Sequence, residues 1–251
     1  MSDAASGPAN GAVAPVVLLI NPNTSRETTA MMHGIARAAL PPAFALESAT
    51  AARGARMITT AEELSTSIEE VLSIGQAQAS RVSAIVISAF GDPGLGRLRE
   101  RVDVPVVGIG EAALREAAEG GRRFGVATTT PELEAPIVAL VERLGLAARF
   151  TGCRIPPGDP LVLAANSVLQ DEALAEAVRD AVERDGAQAV VIGGGPLSRS
   201  AERIAGRFAV PVIAPVAAAM RAVAATVSSM PALPSDRPRL PPHPESASDA
   251  E

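Results

Sequence analysis

The sequence predicts an α/β fold made of two related halves, each built on a small parallel sheet. Three observations predict it. Short apolar runs alternate with helical patterns along most of the chain: Val16–Ile20, Ala84–Ile87, Val104–Ile109, Phe124–Ala127, Ala189–Ile192 and Val210–Ile213. Strand then helix, repeated, is the signature of an α/β protein. The runs are continuous rather than alternating, which suits strands covered on both faces of a parallel sheet. They also repeat as a set. Ala84–Gly91 matches Ala189–Pro196 at an offset of 105, and Val104–Val107 matches Val210–Ile213 at 106. Leu19–Thr24 matches Gly125–Thr130 at 106 as well. Three segments at nearly one offset imply two similar halves related by a pseudo-two-fold axis.

The helical patterns fall at Ser25–Leu40, Ala61–Val82, Glu111–Glu119, Pro131–Leu144, Asp171–Arg184, Ser198–Phe208 and Pro215–Val227. Thr130 before Pro131, with Glu134 following, reads as a helix cap with proline in the first turn. Residues 1–14 are small and polar and read as a disordered N-terminus. Residues 230–251 hold six prolines among Ser, Asp and Glu, and read as a flexible tail without a catalytic role.

Composition narrows the chemistry. Hydrophobic residues make up 47% of 251, yet Trp and Tyr are absent and Phe numbers 5, so the core is aliphatic. The formal charge of -6 offers no basic stripe for nucleic acid. All 22 basic residues are arginine, which removes lysine Schiff-base chemistry and the P-loop lysine. One cysteine, Cys153, and two histidines, His33 and His243, leave no disulfide framework and no multi-His or multi-Cys metal site. No apolar run is long enough to cross a membrane, and the N-terminus lacks signal-peptide features. A soluble cytoplasmic protein is expected.

Ligands in such sheets bind beyond the C-terminal strand ends. Four loops lie there: Asn21–Thr24, Ser88–Gly94, Thr128–Thr130 and Gly193–Ser198. In the first, Asn21, Asn23 and Thr24 open a helix and suit a carboxylate or imide carbonyl, or else simply cap the helix. Thr128 and Thr129 hold the equivalent place in the second half. Gly194 and Gly195 allow close approach of a small ligand; they do not form a dinucleotide fingerprint. Asp92, in Phe90-Gly91-Asp92-Pro93-Gly94, is a candidate base or a turn residue. His33 sits within a helical pattern, and Cys153 lies outside the four loops.

The segments Ile20–Thr24, Ala89–Leu95, Val107–Ala113 and Phe124–Thr129 resemble those of the aspartate/glutamate/hydantoin racemase superfamily, with the greatest likeness to hydantoin and allantoin racemases. The resemblance covers about residues 15–228. It implies two flavodoxin-like domains, residues 15–113 plus 212–229 and residues 114–211, with the site in the cleft between them. It also implies a small-molecule substrate, no cofactor and a homo-oligomer. Family members use two cysteines to move a proton from one face of a carbon to the other. Here Ala89 and Gly194 occupy those positions, and the internal repeat pairs the same two residues. An alanine methyl and a glycine hydrogen transfer no protons. Three readings follow. One is an enzyme using other groups, Ser88 and Asp92 first, then Ser198, Thr128 or a bound water, for proton transfer at carbon or for lyase, decarboxylase or hydrolase chemistry. The second is a protein that binds a small ligand without turnover. In the third, Ala89 is an engineered replacement.

Overall fold

The computed structural model describes residues 14–230; residues 1–13 and 231–251, including most of the expected tail, lie outside the described residues. Two four-stranded parallel sheets form the frame. The first contains β1 (Val16–Asn21), β2 (Ala45–Thr50), β3 (Ala84–Ile87) and β4 (Val106–Gly108), in the order β2-β1-β3-β4. The second contains β5 (Phe124–Ala127), β6 (Phe150–Arg154), β7 (Ala189–Ile192) and β8 (Val212–Ile213), in the order β6-β5-β7-β8. The identical order is the structural form of the sequence repeat. In each sheet the direction of winding reverses between the two central strands, β1 and β3 or β5 and β7, so a crevice opens at their carboxyl ends. The four loops predicted as functional are the ones that leave these four strands.

The central strands are the apolar runs, and apart from half-buried Val16 they are buried along their length. The edge strands β2 and β6 are only half-buried and carry Glu47, Ser48, Thr151 and Arg154. Their mixed pattern gave no strand signal. The run at 104–109 shortens to Val106–Gly108, because Ile109 already opens α5 (Ile109–Ala118).

The helices are α1 (Arg26–Ala39), α2 (Ala61–Thr66), α3 (Ile68–Gln78), α4 (Leu95–Arg99), α5, α6 (Glu134–Arg143), α7 (Pro160–Ala165), α8 (Ser167–Glu183), α9 (Ser198–Ile204) and α10 (Pro215–Ser228). The single helix expected over 61–82 is broken at Ser67. A capping box between Thr60 and Glu63 starts α2. Helix α1 starts on Ser25, whose side chain accepts from the Thr28 amide, and it buries Thr29, Met32, Ile35 and Ala36 on one face. The cap expected at Thr130 is not formed by its side chain; a 3-10 turn, Pro131–Leu133, precedes α6 instead.

One aliphatic core unites the halves: Val17, Leu19 and Val86 of the first sheet and Phe124, Val126 and Val191 of the second belong to a single cluster with Met32, Ile109, Val216 and Met220. Helices α5 and α10 pack on each other, and α10 also packs on α1. The expected boundary before residue 212 cuts β8 from its sheet, because Val212 and Ile213 pair with Val190 and Val191 of β7. The second half therefore extends through Ile213, and α10 makes the return to the first. Among the described residues, no helix is long and apolar enough to cross a membrane.

Candidate functional site

The strand registers bring the four loops together. Ile20 lies beside Ile87, and Ala127 beside Ile192, so each pair of loops starts at the same height. Matching bonds close the two ends: Ser88 N donates to Ile20 O at 2.8 Å, and Gly193 N donates to Ala127 O at 2.8 Å. The halves then meet across the pseudo-axis. A Cβ on Gly195 would lie 2.7 Å from Ser88 O and 2.8 Å from Met32 Sδ. Only glycine permits that approach. Gly195→Ala is expected to cost about 2–3 kcal/mol through overpacking against backbone, a melting-temperature fall of roughly 5–10 °C that calorimetry would measure.

The first loop sorts its two asparagines into different tasks. Asn21 is fully buried and saturated. Its Nδ2 donates to Asn23 Oδ1 at 2.8 Å, Thr29 Oγ1 at 2.9 Å and Ser25 O at 3.1 Å, while its Oδ1 accepts from Asn23 N. Thr29 Oγ1 in turn bonds Thr50 Oγ1 of β2. Asn21 thus organises the loop and presents nothing to a ligand. Asn23 Oδ1 also accepts from Ser25 N, which orients its carboxamide. Its Nδ2 is left without a partner among the described residues, although Asn23 is only 7% exposed. Thr24 is tied by both its N–H and its hydroxyl to Ala55 O.

The second half repeats the arrangement with hydroxyls. Thr128 Oγ1 donates to Gly193 O at 2.8 Å and is engaged. Thr129, 1% exposed, and Thr130 have hydroxyls that make no hydrogen bond among the described residues. No buried side-chain nitrogen or oxygen sealed from solvent lacks a partner among the described residues, so these free groups open onto solvent. Asn23 and Thr129 are mates in the internal repeat, at the offset of 106. Each half therefore contributes one free polar group from the same position.

Ser88 Oγ donates to Ile20 O at 2.7 Å, and Ser198 Oγ accepts from Val216 N at 3.2 Å. Asp92 is the one titratable side chain in the four loops. Both its oxygens are taken by backbone N–H groups at the start of α5: Gly110 N at 2.8 Å and Glu111 N at 2.6 Å. Its backbone is left-handed, with φ at 53°. Burial pushes its carboxyl up to about 7, against the pull of the two N–H donors. Gly108 and Gly110 make the space. A Cβ on Gly108 would sit 2.2 Å from Asp92 Cγ. The Gly91-Asp92-Pro93-Gly94 and Gly108-Ile109-Gly110-Glu111 strings are thus two sides of one lock.

Ala89 and Gly194 are half-buried, while Ser88 and Phe90 on one side and Gly193 and Gly195 on the other are buried or nearly so. They are the points where the second and fourth loops open. Residues 17–223 match the Asp/Glu/hydantoin racemase family. The chain belongs to that family. It is 32% identical to the hydantoin racemase of Pseudomonas sp. (strain NS671), over 82% of this chain and 83% of that one. With the hydantoin racemase of Paenarthrobacter aurescens it shares 28%, over 84% and 91%. The allantoin racemase from Klebsiella pneumoniae superposes with a TM-score of 0.81 at 30% identity, over 85% of this chain and 88% of that one. The match spans both halves, therefore, and the chain's one cysteine, Cys153, lies on β6 outside the four loops.

His33 and Cys153 lie elsewhere. His33 projects from α1 toward Ser48 of β2, with its ring pKa lowered by partial burial and then by Arg37. Cys153 sits on edge strand β6, where burial and Glu134 push the thiol up to about 12 and keep it protonated. No group of three or more His, Cys, Asp or Glu among the described residues could hold a metal. Asn23 was legible as a polar loop residue; the freedom of its Nδ2 was not, because it depends on Asn21, Ser25 and the helix start together.

Proposed function

We propose that this racemase-family protein binds a small carboxylate or cyclic ureide in the cleft and holds it without the side-chain acid–base pair that racemisation requires. One observation carries the reading. The two pseudo-symmetric free polar groups, Asn23 Nδ2 and the Thr129 hydroxyl, stand in the loops, while the two positions that the family resemblance assigns to proton transfer hold Ala89 and Gly194. A carboxylate or imide carbonyl is the acceptor such donors suit, and burial strengthens each bond. The Thr130 hydroxyl adds a third group beside Thr129. Similarity to hydantoin and allantoin racemases supports the same ligand class.

A second reading rests on Asp92. Its carboxyl titrates near the range useful to a general acid or base, and it stands three residues from Ala89. Both oxygens are already held by α5, so in this reading the lock must open before proton transfer at carbon.

The test separates them. Single enantiomers of 5-substituted hydantoins, allantoin and amino acids are titrated by calorimetry, then incubated in D2O and followed for α-deuterium and optical rotation. Binding without exchange is the expected result. Exchange at a rate abolished by Asp92→Asn would establish the second reading, and absence of any binding would overturn the first. Asn23→Asp keeps an acceptor for Ser25 and Asn21 while replacing the free donor by an anion. It is expected to weaken carboxylate binding at least about tenfold, or ~1.4 kcal/mol, with a smaller loss for a neutral ureide.

A further inference from the structure

The two halves differ in one connection at the strand ends, and the difference falls beside the cleft. Residues 51–59 join β2 to Thr60, the cap of α2, whereas only residues 155–158 join β6 to Asp159, the cap of α7. The longer segment is fastened at three points. Thr24 N and Thr24 Oγ1 both donate to Ala55 O, at 3.0 and 3.3 Å. Glu70 accepts from Ala52 N and Arg53 Nε. At the far end Glu63 accepts from Thr59 N, Thr59 Oγ1 and Thr60 N. Leu64, just beyond, packs against the second loop: a Cβ on Gly91 would lie 2.8 Å from its Cδ2. The segment is thus tied to the first loop through Thr24, and the helix it leads into is packed on the second.

This unequal cover gives the two ends of the cleft different chemistry. Thr24 and Thr130 are mates in the internal repeat, yet the Thr24 hydroxyl is consumed by Ala55 O while the Thr130 hydroxyl is free. The same segment adds a cation. Arg56, next to the fastened Ala55, is exposed and makes no hydrogen bond or ion pair among the described residues. The acids bonded to the segment, Glu63 and Glu70, are already engaged, and Asp92 is held by α5. The first half therefore offers the free Asn23 Nδ2 and a guanidinium. The second offers the hydroxyls of Thr129 and Thr130, and its loops 128–130 and 193–198 contain no charged residue.

We propose that the cleft selects an open-chain ureido acid, such as an N-carbamoyl amino acid, over a closed hydantoin or a dicarboxylate, with Arg56 as the residue that sets the preference. This choice of ligand rests on the cleft being a binding site for small carboxylates and ureides. A carboxylate leaving water needs a cation or several N–H donors. Asn23 Nδ2 and Arg56 supply both in the first half. A hydroxyl carries one donor and two acceptor lone pairs. Thr129 and Thr130 therefore suit a group with both C=O and N–H, as in a ureide. A second carboxylate there would find no cation. A closed hydantoin is uncharged at neutral pH and leaves Arg56 unused.

Calorimetric titration of the full chain tests it with three probes: an N-carbamoyl amino acid, the 5-substituted hydantoin of the same amino acid, and a dicarboxylate of similar length. The N-carbamoyl acid is expected to bind at least about tenfold more tightly than either of the others. Arg56→Gln should weaken it at least about fivefold and the hydantoin at most about twofold. Arg56→Lys keeps the charge and should recover most of the loss. Added salt should weaken the N-carbamoyl acid more than the hydantoin. A hydantoin or dicarboxylate that binds the unaltered chain as tightly as the N-carbamoyl acid overturns the proposal. So does an Arg56→Gln variant that weakens acid and hydantoin equally, or neither. If that variant fails to fold, the ranking of the probes and its salt dependence in the unaltered chain decide. Binding of the hydantoin alone overturns only this choice of ligand, whereas binding of no probe overturns the function proposed for the cleft as well.

Discussion

Placing cysteine at both residue 89 and residue 194 is expected to create α-proton exchange and loss of optical rotation with a single-enantiomer hydantoin, where the parent protein gives neither. Racemisation needs an acid and a base on opposite faces of one carbon. The scaffold holds two positions related by its pseudo-axis, each half-open in a loop otherwise largely buried. Ala89→Cys adds one sulfur to an existing Cβ. Gly194→Cys must build a Cβ 3.0 Å from Leu197 Cγ and Cδ1, so the leucine has to turn aside, at about 1–3 kcal/mol. Its backbone is no obstacle, because Gly194 is absent from the positive-φ residues. The neighbour Gly195 could not accept a side chain, since its obstacle is the Ser88 carbonyl. General acid–base groups contribute roughly 10²–10⁴-fold each, so either single variant should exchange at least about a hundredfold more slowly than the pair. Polarimetry and proton NMR in D2O measure both. A double variant that folds, binds ligand and still exchanges no faster than its parent would show that the free groups of Asn23 and Thr129 do not hold the reacting carbon between residues 89 and 194.

How far such positions could be read from sequence depended on how local their causes are. The central strands were legible because burial on both faces leaves an unbroken apolar run, as in Ala84–Ile87 and Ala189–Ile192. The edge strands β4 and β8 were legible in the same way, whereas β2 and β6 were not. Ala45–Thr50 and Phe150–Arg154 each pair on one side only, and their half-exposed residues tolerate Glu47 and Arg154. The repeat located all four loops and paired Ala89 with Gly194. It did not distinguish Asn21 from Asn23. That distinction arises from Thr29 and Ser25 on the next helix and its cap, and from Thr50 on another strand, which consume one amide and leave the other free. The break at Ser67 was not legible either, because the apolar spacing runs on from α2 into α3 across it.

Asp92→Ala is expected to lower stability by about 2–4 kcal/mol, although the residue lies on a loop. Two N–H groups at the start of α5 lose their acceptor, and alanine is strained by the left-handed backbone that Asp92 adopts at φ 53°. Asp92→Asn should cost less, since asparagine tolerates that conformation and keeps one acceptor. The pH dependence distinguishes the charge from the shape. Burial raises the Asp92 carboxyl to about 7, whereas an unfolded aspartate titrates near ~4. Between those values the folded chain binds more protons than the unfolded chain. Stability contributed by Asp92 is therefore fully present below about pH 4 and is lost as pH rises through about 7. The asparagine variant carries no such proton, so its melting temperature should lack this slope. The stability gap between the parent and the Asp92→Asn variant should narrow from about pH 5 to about pH 8 in denaturation measured by circular dichroism. Because Asp92 fastens the loop that carries Ala89 to the helix that follows β4, the alanine variant should also bind ligand more weakly than its population of folded protein accounts for. An alanine variant with unchanged stability and affinity would show that the lock is geometrical coincidence, and that Gly108 and Gly110 are small for some other reason.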